Sequence, residues 1–65
     1  MVKFPEVGVQ LSGTDGNAFS IIGRVSKALK AAGKPEAAKE FSEAAMGCGS
    51  YDALLRLAME TVEVS

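Results

Sequence analysis

Catalysis in a small domain needs a nucleophile, an acid/base pair or a set of metal ligands, and this chain offers few of the residues that supply them. Histidine is absent, so the commonest general base is unavailable. The one cysteine, Cys48, lies between Gly47 and Gly49 just ahead of a helical pattern, a position compatible with a nucleophile. No base can be named to activate it, and a small residue in a turn is the simpler reading. Gly47-Cys48-Gly49-Ser50 is not a nucleophile elbow either, because no strand pattern leads into it. The sequence therefore assigns no catalytic residue and points away from an enzyme.

Ligand chemistry has one candidate turn: Thr14, Asp15, Gly16 and Asn17. Aligning Asp15-Gly16 with the centre of a calcium loop puts Leu11 first and Ile22 last, where acidic ligands are required. A phosphate loop fails because no lysine follows the final glycine. A lone thiol without histidine cannot make a structural zinc site. No metal and no cofactor are expected. Backbone amides at a helix N-terminus can still meet an anion, although Asp15, the best N-cap, competes for the same amides, with Thr14 as fallback. Charge offers a second candidate. Arg24, Lys27, Lys30 and Lys34 recur at helical spacing as a basic stripe, while Glu36, Glu40 and Glu43 give the next helix an acidic face. Both are compatible with solvated surfaces. The functional alternative is that one stripe faces a complementary protein, and the basic stripe is the first choice.

These residues must be positioned by elements that the patterning predicts. Val7, Val9 and Leu11 alternate with Gly8, Gln10 and Ser12, the period-two signature of a half-buried strand. Val2 and Phe4 fall on the opposite phase and Pro5 interrupts them, so residues 1–6 read as a flexible tail or edge extension. After the turn at 12–17, Ala18, Ile22, Val25, Leu29 and Ala32 predict an amphipathic helix from about Gly16 to Ala32, widened by Ile21 and Ala28 and with Phe19 at its margin. Gly33 ends it in a left-handed cap. Gly23, inside it, predicts close approach by another backbone. Pro35 opens a second helix whose apolar side is Ala37, Ala38, Phe41, Ala44 and Ala45. Ser50 caps a third, with Asp52 in its first turn and Tyr51, Leu54, Leu55, Ala58 and Met59 on its buried face. Thr61-Val62-Glu63-Val64 alternates again. Pairing the two alternating ends avoids leaving either one as a lone strand. The expected fold is α+β and mostly helical, β-α-α-α-β, with residues 7–65 as a single domain and three helices on one face of the paired terminal strands.

Composition constrains the setting. Sixty-five residues suffice for one domain, and 48% apolar with 23% charged residues is ordinary for a globular chain. Such a small core predicts help from self-association, with a dimer extending the two strands to four. Phe19, Ile22, Leu29, Phe41, Tyr51, Leu54 and Leu55 are the large side chains expected to fill it. A net charge of −1 argues against nonspecific nucleic-acid binding. No apolar run approaches a membrane span, and the first residues lack the apolar core of a secretion signal. One unpaired cysteine suits a reducing cytoplasm.

The segment from Val9 to Val64 resembles a group of very short proteins encoded by phages, prophages and plasmids. The shared pattern is GTDGNAFSIIGRVSKALKAAG, an acidic helix, then SYDALLRLAMETVEV. Several very short phage-encoded proteins act by binding and blocking a host protein, notably bacterial immune machinery, and inhibitors of the Hachiman defence system are of comparable size. The resemblance implies a non-catalytic protein-binding factor that inhibits a bacterial defence or regulatory protein, and it transfers no site residues. Two alternatives come from the residues themselves. Strand, helix, helix is the opening order of a ribbon-helix-helix DNA-binding regulator, and the glycine-rich turn with Arg24 could sequester a small anionic nucleotide.

Overall fold

The computed structural model describes residues 2–11 and 18–65. In order along the chain come β1 (Phe4–Val9), α1 (Ala18–Ala31), α2 (Pro35–Met46), α3 (Tyr51–Thr61) and β2 (Val62–Val64). The two strands form one sheet and pair in parallel. Parallel neighbours cannot be joined by a tight hairpin, so the chain must cross over between them. Here the crossover carries all three helices. The expected β-α-α-α-β order is the one observed.

Local chemistry sets the helix ends. Gly33 has φ 80°, and around it Gly33 N–H donates to the Lys30 carbonyl at 3.0 Å and Lys34 N–H to the Leu29 carbonyl at 2.8 Å. This pair of bonds is the Schellman motif, which satisfies carbonyls that α1 would otherwise leave open. Pro35 then occupies the first turn of α2, where its missing N–H costs no helical bond. Gly49, at φ 81°, supplies the second left-handed residue between α2 and α3. Ser50 caps α3: its hydroxyl accepts from Ala53 N–H at 3.1 Å, as its residue type and place predict. Thr61 closes α3 by donating its buried hydroxyl to the Leu57 carbonyl at 2.7 Å, and the chain passes directly into β2.

One apolar layer lies between sheet and helices. Val7, Val9 and Leu11 are buried, Glu6, Gly8 and Gln10 exposed, which is the predicted period-two division. Ile21, Val25 and Leu29 of α1 pack against Ala38, Phe41 and Ala45 of α2, Leu54 and Ala58 of α3, and Val62 of β2 in the same cluster. A hydroxyl pair, Ser26 to Ser42 at 2.7 Å, ties α1 to α2 beside this layer.

Several side chains depart from the sequence-based expectation. The strand begins at Phe4 rather than Val7. Lys3 N–H also donates to the Glu60 carbonyl at 2.8 Å. Phe4 pairs with Val62 but Gly8 with Glu63, an irregularity in β1 that spans Pro5, the residue with no N–H to donate. The extra residues break the strict alternation, which is how Phe4, on the opposite phase from Val7, also packs against the core. On α1 the buried stripe is centred on Ile21 rather than Ile22. Phe19 is 73% exposed, and Tyr51 and Met59 are exposed as well. Alanine-rich α2 brings the helices together without needing these large side chains.

Gly23 is a further correction. A Cβ built there meets nothing within 4 Å, so among the described residues no backbone packs against it to offset its helical cost of about 1 kcal/mol relative to alanine. Gly23→Leu should therefore stabilise the isolated protein by roughly 1 kcal/mol, a rise of about 4–8 °C in Tm for a domain of this size. A lower Tm in a calorimetric scan would restore the close-packing reading. Removing residues 62–65 should instead abolish cooperative melting, because it strips away fully buried Val62 and the two backbone bonds of Ser65, to Val9 and Leu11. A truncated chain that melts like the parent would show the strand pairing to be dispensable.

Candidate interaction surface

Among the described residues β1 has one paired and one open edge, and the hydrogen bonds on the β2 side show which backbone groups face each way. Ser65 N–H donates to the Val9 carbonyl, and Leu11 N–H donates to the Ser65 carbonyl, both at 3.0 Å. Successive residues of a strand turn their backbone groups to opposite edges. Val9 and Leu11 therefore face β2, and Gly8 and Gln10 face away from it. Arg24 confirms the direction for Gln10: its Nη1 lies 3.5 Å from the Gln10 carbonyl oxygen.

On that side, β1 and α1 form the walls of an open groove of about 700 Å³, with Gly8, Val9 and Gln10 on the strand and Gly23, Arg24 and Lys27 among the helix residues. Both glycines present bare backbone, since a Cβ on Gly8 would also meet nothing within 4 Å. Ser20, Ala28 and Ala31 also line it, so among the described residues the groove carries two cations and no carboxylate.

The predicted basic stripe is thus divided by the fold. Arg24 and Lys27 line the groove, and Lys30 is exposed further along α1. Lys34 lies beyond the helix, engaged within the chain: its Nζ is 3.4 Å from Glu6 Oε2 and 5.4 Å from the centre of the Phe4 ring. That cation ties the start of β1 to the α1–α2 junction. The acidic residues Glu36, Glu40 and Glu43 are exposed along α2. Cys48 follows α2, and its thiol donates to the Ala44 carbonyl at 3.4 Å, which makes it part of that helix end. Thr14, Asp15, Gly16 and Asn17, with the proposed Asp15 cap, lie outside the described residues. Among the described residues, no three metal-ligating side chains converge, and no helix is long and apolar enough to cross a membrane.

At the opposite end of α2, Met46 (71% exposed) and Tyr51 border a smaller cleft of about 220 Å³ with Ile22 and Leu54 at its base. Alternation in the sequence identifies the buried face of β1, but which of its edges is open depends on where β2 pairs. The groove could not be foreseen, because it depends on how far α1 stands from β1.

No protein-family model, curated protein or solved structure matches the chain.

The Lys34 contact also bears on the ionisation of Glu6. A hydrogen bond from its own backbone N–H, and then the Lys34 ammonium, hold its carboxyl below the ordinary value of 4.5. A carboxyl whose folded pKa is depressed stabilises the fold above its unfolded pKa and loses that contribution as pH falls through the folded one. Wild type should therefore lose Tm more steeply than Glu6→Gln on acidification from about pH 5 to pH 3. Parallel acid melting curves for the two proteins would show that the contact contributes nothing.

Proposed function

We propose that this chain is a non-catalytic protein-binding factor that blocks a bacterial defence or regulatory protein, with the basic residues of α1 on its contact surface. The observation that carries the reading is the groove in which Arg24 and Lys27 flank the open edge of β1. Exposed backbone beside unpaired-edge geometry is a common basis for protein recognition, and charge of one sign steers a partner of the other. The phage and plasmid resemblance of the sequence supports a blocking role. The ribbon-helix-helix alternative has less support: β1 already pairs with β2 inside the chain, and its exposed face carries Glu6, Gly8 and Gln10 rather than cations.

Affinity capture from a bacterial lysate, followed by calorimetry with the partner so identified, tests the reading. Changing Arg24, Lys27 and Lys30 together to glutamate should leave the circular dichroism spectrum intact and weaken the complex by roughly tenfold or more, and added salt should weaken the wild-type complex. Changing Glu36, Glu40 and Glu43 to lysine is the matched control and should weaken it less. Equal affinity for wild type and the basic-stripe variant would make the stripe a solvated face.

A further inference from the structure

We propose that the groove between β1 and α1 takes an extended, acidic segment of a protein partner, which adds as a third strand on the open edge of β1. The inference rests on the protein-binding reading above and specifies the partner's chemistry. Strand addition needs backbone donors and acceptors facing outward with nothing in the way. Gly8 and Gln10 turn theirs to this edge, and Gly8 adds no side chain to obstruct a neighbour. Among the described residues the sheet has two strands, and an edge left open is a template for further pairing.

The second wall supports the same occupant. Gly23 weakens α1, yet among the described residues nothing lies within 4 Å of a Cβ built there. It lies across the groove from the β1 edge, with Ala31 further along the same wall, so the helix face opposite the strand is low where an added chain would pass. Gly8 and Gly23 thus bare both walls of one groove, which neither the turn geometry nor the internal packing of the chain requires.

Charge selects an acidic segment over a second copy of this chain. Among the described residues, Arg24 and Lys27 are the charged groups of the lining. Twofold pairing of β1 with β1 would bring two such basic helix faces onto one ribbon, where like charges oppose association. The chain's own strand acid near this edge, Glu6, is already held by Lys34 at 3.4 Å. A foreign strand with glutamate or aspartate at alternate positions can supply edge hydrogen bonds and carboxylates together. Arg24 then exchanges its exposed contact with the Gln10 carbonyl for a charge-assisted bond.

The test uses the full chain, labelled with nitrogen-15, and a blocked peptide of about seven residues that alternates threonine with glutamate. The peptide should shift the amide signals of Gly8, Gln10 and Gly23 and slow hydrogen exchange at Gly8. Arg24→Glu combined with Lys27→Glu should weaken binding by roughly tenfold or more, while Lys39→Gln, exposed on α2 and outside the groove, should preserve it. Gly23→Leu should raise thermal stability yet lose the peptide, which separates the groove from the fold. The proposal is overturned if a threonine–lysine peptide shifts the same amides equally, if Gly23→Leu binds as wild type does, or if the shifts fall elsewhere. Gly8 shifts that depend on protein concentration without peptide would assign the edge to a second copy and also overturn it. If the peptide fails but a captured partner still depends on Arg24, Lys27 and Lys30, the groove assignment falls and the protein-binding reading stands. If neither depends on them, both fall.

Discussion

The parallel pairing of β1 with β2 is the constraint on which the rest of this structure depends. The strands come from opposite ends of the described chain, so their contact closes everything between them into a single unit. Parallel strands need a long connection, and three helices serve as that connection here. The same contact buries Val7, Val9 and Val62 against α1 and α3. A two-stranded sheet is weak alone, so the helices and the strand pair depend on one another. Neither layer has a core without the other.

That mutual dependence explains the economy of the interior. The largest fully buried side chains are Ile21, Leu29, Val25 and Val62, all aliphatic, and α2 closes the far side largely with alanines around Phe41. Small residues let α1 and α2 approach closely enough for the Ser26 and Ser42 hydroxyls to meet. Several larger apolar groups, Phe19, Met46 and Met59, are left at the surface. The candidate site follows from the same layout: β2 occupies one edge of β1, so α1 and the remaining edge enclose the groove. Arg24 and Lys27 acquire a shared location only because α1 runs beside that edge.

The sequence by itself determined the elements and their punctuation. Period-two alternation at Val7–Leu11 and at Val62–Val64, Gly33 as a left-handed cap, Pro35 opening α2 and Ser50 capping α3 all act through groups within a few residues of one another. Backbone sterics and orphaned amides are local, so these features are legible without a fold. Pairing of the two ends was legible as well, since a lone strand leaves its backbone groups without partners.

Tertiary structure decided which of the eligible apolar residues are buried, and where the basic residues gather. Ile21 and Ile22 are equally hydrophobic neighbours, and only the rotation of α1 against β1 and α2 selects Ile21 for the core. Phe4 joins the core because β1 is irregular between Phe4 and Gly8, which a strict alternation rule does not anticipate. Gly23 looks like a packing position in sequence, yet it faces an open groove because the nearest β1 backbone stands too far away to touch it. Lys34 belongs to the basic stripe by spacing, but the start of β1 brings Glu6 and Phe4 to it. Each of these outcomes depends on the distance or angle between elements far apart in the chain, and helical or strand periodicity contains neither quantity.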